Sequence, residues 1–127
     1  MKNILDRIRN IEESKKSGIM VYHENGLSTE TVWYNSTTVY KINRYLNNVL
    51  HGISSEYYYS GIKKEDVLWE NGKKIQVTSY YIDGKTPYTI IQYSGGIIHG
   101  TYEVFNDNGK HRRKDLYQNG KRIKSLL

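Results

Sequence analysis

A chain of 127 residues that is 37% hydrophobic is one domain's worth of material with a thin apolar supply; Tyr provides 13 of its aromatics, against two Trp and one Phe. The absence of cysteine excludes a disulfide framework and a thiolate metal site. The formal charge of +6 is uneven: residues 1–107 balance, whereas in residues 108–127 Lys110, Arg112, Arg113, Lys114, Lys121, Arg122 and Lys124 stand against Asp115 alone.

In chain order, Ile4, Leu5, Ile8 and Ile11 come first, at helical spacing, among charged residues and before the stop at Gly18. They predict an amphipathic α-helix over about residues 3–16. Residues 1–17 are therefore expected to differ in kind from residues 18–127, either as a cap packing its Ile stripe on the first hairpin or as a docking or dimerising element.

Beyond the helix, an aromatic falls at every twelfth position: Trp33, Tyr45, Tyr57, Trp69, Tyr81, Tyr93, Phe105 and Tyr117. Turn dipeptides follow most of them, at Ser60-Gly61, Asn71-Gly72, Asp83-Gly84, Ser94-Gly95, Asn108-Gly109 and Asn119-Gly120. Such pairs suit tight hairpins because Gly takes positive φ freely and Asn or Asp tolerate it. Between them lie β-branched and aromatic stretches such as Val77–Tyr81 and Thr89–Tyr93, which read as strands. The prediction is an all-β, single-layer antiparallel meander of about eight or nine strands, built from tandem hairpins of about 24 residues. Because strands alternate in direction, Trp33, Tyr57, Tyr81 and Phe105 should form one row, and Tyr45, Trp69, Tyr93 and Tyr117 another. Asn35-Ser36 and Asn47-Asn48 stand where Gly is expected, which predicts longer or distorted turns there.

The recurring Tyr/Trp-x-Asn-Gly-Lys turn, with His-Gly opening a strand, resembles the MORN-type hairpin repeats, in the variant of bacterial antitoxin-like and large-virus proteins. It is carried by Leu50-His51-Gly52, Trp69–Lys73, Tyr81–Lys85, Ile98-His99-Gly100, Asn108–Lys110 and Tyr117–Lys121, within residues 50–121. Tyr22–Gly26 is similar to an earlier copy, slightly out of phase, and Ser28 and Gln76 fill the His-Gly slot in the intervening copies. The resemblance implies a repeat scaffold and a protein-binding, antitoxin- or immunity-like or viral host-interaction role.

Catalytic motifs are absent. Asp83-Gly84-Lys85-Thr86 ends like a phosphate-binding loop, but the required earlier Gly is Ser79, and Gly-Lys recurs with the repeat. His51 and His99 sit at equivalent positions four strands apart, roughly 19 Å, too far to share a metal. Glu12-Glu13 and Glu65-Asp66 are neighbours whose side chains diverge. No nucleophile elbow is present. The expectation is a non-enzyme without cofactor or metal.

Two binding readings remain. A protein–protein interaction module would use the ladder aromatics, unless these serve only to hold the hairpins together. An electrostatic binder of nucleic acid or anionic lipid would use the basic C-terminal segment, whose bland alternative is an edge strand guarded by lysines. Homo-oligomerisation through the helix or an edge strand is a further expectation. No apolar stretch nears the length of a membrane span and no signal-peptide pattern opens the chain. The absence of Ala and the wealth of Asn, Lys, Ile and Tyr suggest an AT-rich genome. The expected location is the cytoplasm, of a low-GC bacterium or of a host cell if the chain is viral.

Overall fold

The computed structural model describes residues 18–127, which form one antiparallel sheet; the helix expected over residues 3–16 lies outside the described residues. Its strands are β1 (Ile19–Glu24), β2 (Leu27–Trp33), β3 (Val39–Leu46), β4 (Val49–Leu50), β5 (Gly52–Tyr57), β6 (Lys63–Glu70), β7 (Lys73–Tyr80), β8 (Pro87–Ser94), β9 (Ile97–Phe105), β10 (His111–Gln118) and β11 (Lys121–Ser125). Spatial order follows chain order, with β4 and β5 two halves of one run interrupted at His51. The eleven strands exceed the eight or nine expected in part because one run is divided at His51 into β4 and β5.

The two rims of the sheet differ. At one, five two-residue turns (Asn25-Gly26, Asn47-Asn48, Asn71-Gly72, Gly95-Gly96 and Asn119-Gly120) close the hairpins, each with positive φ at both residues. That is the type I′ requirement, matched to the right-handed twist of the flanking strands. Asn47-Asn48 is thus an ordinary tight turn, since Asn also tolerates the left-handed region. In the fourth turn the pair is Gly95-Gly96, one residue later than the expected Ser94-Gly95, because Ser94 still belongs to β8. The opposite rim carries longer loops, at residues 34–38, 58–62, 81–86 and 106–110. Asx-type hydrogen bonds stiffen them: Asn35 Oδ1 accepts from the amides of Thr37 and Thr38, and Asp83 Oδ1 from those of Lys85 and Thr86.

At the loop rim each ladder slips by one residue. The pairing leaves Tyr40, Lys64, Tyr88 and Arg112 as the extra residue of a bulge, one in each successive repeat. Bulges increase local twist and push the extra side chain off the regular alternation.

Among the described residues no apolar side chain is buried; the buried residues are Ser28, Thr31, Ser54, Ser55 and Asp115, of which Asp115 alone is fully enclosed. One layer has no second layer to cover it, so apolar groups are sheltered only by neighbours leaning across the same face. All eight ladder aromatics are half-buried in this way. Each removes on the order of 100 Å² from water, about 2 kcal/mol of stabilisation apiece. The cross-strand rows of such rings take the place of a core.

Candidate interaction surface

Residues directly opposite in an antiparallel pair share a face, and successive residues alternate. The register links Glu30 to Asn43, Lys41 to Glu56, Gly52 to Trp69, and Val67 to Val77 to Ile91 to Tyr102 to Asp115. Tyr45, Trp69, Tyr93 and Tyr117 therefore lie on one face, here the front, near the turn rim. Lys74 Nζ lies 4.7 Å from the Tyr93 ring centroid, and the rings of Tyr102 and Tyr117 are 5.6 Å apart. Glu30 accepts from Asn43 at 2.9 Å and from the Tyr45 hydroxyl at 3.4 Å; burial, then this carboxylate, raises the Tyr45 pKa above its ordinary value.

The chain Thr31–Ile42–Ser55–Asp66–Thr78–Ile90–Glu103–Lys114 defines the back face. Beyond it at the loop rim stand the pairs Trp33–Val39, Tyr57–Lys63, Tyr80–Pro87 and Phe105–His111. The third member of this row is thus Tyr80, not Tyr81 as the twelve-residue spacing predicts. The loop 81–86 is one residue longer than its counterparts, so Tyr81 has already passed into the loop. Lys63 Nζ lies about 6 Å from the ring centroids of both Tyr57 and Tyr80. Asp66 binds Lys63 at 3.3 Å, the Ser55 hydroxyl at 2.5 Å and the Tyr80 hydroxyl at 2.6 Å. Burial and that bond push the Tyr80 hydroxyl far above its usual range.

The exposed aromatics are a different set: Tyr22, Tyr34, Tyr58, Tyr59 and Tyr88, none of them in the ladder. Four of these gather at the loop rim. Tyr34, Tyr58 and Tyr81 each open a loop, one residue past the back-face row, and meet the bulge residues on the front face. Tyr34 lies 4.9 Å from Tyr40 and 5.3 Å from Tyr59, and Tyr81 lies 5.0 Å from Tyr88 in an edge-on contact. Lys64 Nζ lies 5.9 Å from the Tyr58 centroid and 3.3 Å from Glu56. The hydroxyls of Tyr34 and Tyr81 donate to the carbonyls of Tyr57 and Phe105, so adjacent loops are tied by the same bond two strands apart. Tyr40, held by a hydrogen bond to Glu56, has its pKa raised by that bond. This tyrosine band went unread because its signal, the 24-residue spacing of positions 40, 64, 88 and 112, mixes Tyr with Lys and Arg. The denser twelve-residue ladder hides it.

The basic segment is partly spent within the fold. Asp115, 1% exposed on the front face of β10, accepts from Arg113 and from Arg122 at 3.2 Å. Burial acts to raise its pKa, but the two guanidinium groups outweigh burial and hold the carboxyl below its ordinary value. Lys114 pairs with Glu103 at 3.7 Å on the back face. Of the seven cations, Lys110, Arg112, Lys121 and Lys124 have no acidic partner among the described residues. These four are split between the loop rim and β11, where lysines and a bulge at Ile123 blunt an edge strand. The fold does not gather them into one patch.

Two of the histidines, His51 and His99, support the turns. Nδ1 of His51 accepts from the Asn71 amide and Nδ1 of His99 from the Asn119 amide, so each braces the following turn. Among the described residues no group of three His, Cys, Asp or Glu could hold a metal, and no helix is long and apolar enough to cross a membrane.

No protein-family model matches the sequence, and no curated protein matches it. Among solved structures, a point mutant of S. aureus TarM, crystallised with fondaparinux, alpha-GlcNAc-glycerol and UDP, is similar over 98% of this chain with a TM-score of 0.57 and 15% identity. The chain spans 24% of that protein's length, and at this identity the likeness shows the fold alone.

Proposed function

We propose that this chain is a non-enzymatic protein-binding module, and that its partner seats on the tyrosine band at the loop rim of the front face. The observation that carries the reading is the placement of Tyr34, Tyr58, Tyr59 and Tyr88 along one rim and exposed, while the ladder rings are half-buried. Tyr presents a large apolar ring and a polar tip at low entropic cost, which is why it is enriched at recognition surfaces. The ladder aromatics hold the hairpins, and the band is left for the partner. An antitoxin- or immunity-like role, or a viral host-interaction role, is in keeping with the MORN-type resemblance of the turns.

The experiment is capture of partners from the native cytoplasm, with and without nuclease, using the wild-type chain and a Tyr58→Ala/Tyr59→Ala variant. One protein partner that resists nuclease and is lost with the variant supports this reading. Loss of every partner on nuclease treatment sinks it, and favours electrostatic binding of nucleic acid through Lys110, Arg112, Lys121 and Lys124. The two also differ in salt dependence: phosphate contacts weaken steeply with salt, whereas an interface anchored on tyrosines changes little.

A further inference from the structure

On the back face at the loop rim, a cavity of about 470 Å³ opens between loops 34–38 and 58–62. Its size falls in the range of small-ligand sites, about 300–1,000 Å³. Val39, Ile42 and Tyr57 give it an aliphatic and aromatic lining, and Thr37, Thr38 and Ser60 add hydroxyls.

The repeat provides an internal control. One repeat on, the positions of Val39 and Ile42 are held by Lys63 and Asp66, an ion pair at 3.3 Å that also binds Tyr80. There the next loop closes down: a Cβ on Gly84 would stand 2.9 Å from Ile62 Cγ2 and 3.1 Å from the Lys63 nitrogen. In the first repeat, Gly61 has nothing within 4 Å, and the loop stands off. The same fold thus makes a filled, charged version of this place and an open, uncharged one.

The lining restricts the occupant. No Asp, Glu, Lys or Arg lines the cavity, and the cation beside the Tyr57 ring, Lys63 Nζ at 6.0 Å from its centroid, is already paired with Asp66 at 3.3 Å, so a charged ligand would lose water without gaining a free countercharge. The Thr37 hydroxyl donates to Asn35 Oδ1 and keeps its lone pairs, while Ser60 Oγ accepts from the Ile62 amide and keeps its proton. Acceptors and donors are therefore both on offer along one wall, facing an apolar ring and two aliphatic side chains. A molecule matching this has alternating hydroxyls on its rim and a C–H face for an aromatic ring. From this geometry we propose that the cavity binds a neutral pyranoside, with its C–H face against Tyr57 and its hydroxyls on Thr37, Thr38 and Ser60. The site is on the opposite face from the tyrosine band and does not depend on it.

The test is a titration of the whole chain, followed by backbone-amide NMR, with methyl β-D-glucopyranoside and cellobiose, and with glucuronate as the charged control. The expected result is saturable shifts confined to residues 37–42 and 57–61 with the neutral sugars and none with glucuronate. Tyr57→Ala should weaken binding roughly tenfold or more, the worth of one stacking contact, and Tyr57→Phe should keep it. Ile42→Asp, which installs the charge of the next repeat, should abolish it, while Tyr88→Ala in the tyrosine band leaves it unchanged. A spectrum of unchanged dispersion establishes that each variant is folded. Absence of saturable shifts with both sugars, or equal shifts in folded Tyr57→Ala, overturns the proposal. So does equal binding of glucuronate, or saturation of these amides only by a captured protein partner.

Discussion

The turn rim and the loop rim of this sheet are built from the same repeats and follow different rules. At the turn rim all five connections have one length and one backbone conformation, and His51 and His99 brace the turns that follow them. At the loop rim one connection in four is a residue longer, one loop packs on its neighbour and another stands away. A two-residue type I′ turn has no freedom to vary without losing the strand register, whereas a five-residue loop does. Regularity therefore holds the hairpins together at one rim, and individuality collects at the other.

Both rims are measured against the middle of the sheet, where the largest effect is expected. Asp115→Asn leaves two guanidinium groups around a buried neutral side chain and should lower the urea midpoint more than any rim substitution. Because folding holds this carboxyl below its ordinary value, its contribution is complete above the unfolded pKa of about 4 and is lost as pH falls through the lower folded value. The stability difference between wild type and Asp115→Asn should be constant near neutrality and shrink in acid. A difference that grows as pH falls would refute the assignment.

Next come the loop glycines. Gly84→Ala meets both a φ of +69° and the Ile62 and Lys63 contacts, so it should cost about 2–3 kcal/mol. Gly61→Ala meets a φ of +89° in open space and should cost about 1 kcal/mol. Equal losses in denaturation would show that loop 81–86 does not press on its neighbour, and the contrast between the two loops would fail.

At the turn rim, Gly120→Ala has only the backbone penalty of a φ of +82°, about 1 kcal/mol. The reverse change, Asn48→Gly, relieves an Asn at +67° and should raise stability by roughly 0.5 kcal/mol. The smallest effect is reserved for Tyr59→Ala. This ring is 67% exposed, so its loss should shift stability by no more than about 0.5 kcal/mol while partner capture falls. A large loss of stability would mean that the band holds the fold rather than a partner.

Much of the turn rim was legible. Asn71-Gly72 and Asn119-Gly120 declare themselves because a turn's φ requirement is local and only a few residues meet it. Asn47-Asn48 departs from the expected longer turn because Asn tolerates the left-handed region at both turn positions without Gly. Tyr81 departs from its expected row for another reason: one inserted residue in loop 81–86 moves the structural row to Tyr80 without disturbing the twelve-residue count. The tyrosine band was not legible, since Tyr40, Lys64, Tyr88 and Arg112 share a position and no chemistry.

Strand-forming runs, hairpin order and the turns at Asn71-Gly72 and Asn119-Gly120 follow from the sequence by itself, because β-branched and aromatic runs and positive-φ residues act within a few residues of chain. Which face each ring occupies, which arginines Asp115 consumes and where a cavity stays open were decided only by the tertiary structure. A bulge carries one residue off the alternation at every repeat; charge pairing depends on which side chains the register sets on the same face of adjacent strands, and loop packing depends on neighbours two strands away in the sheet.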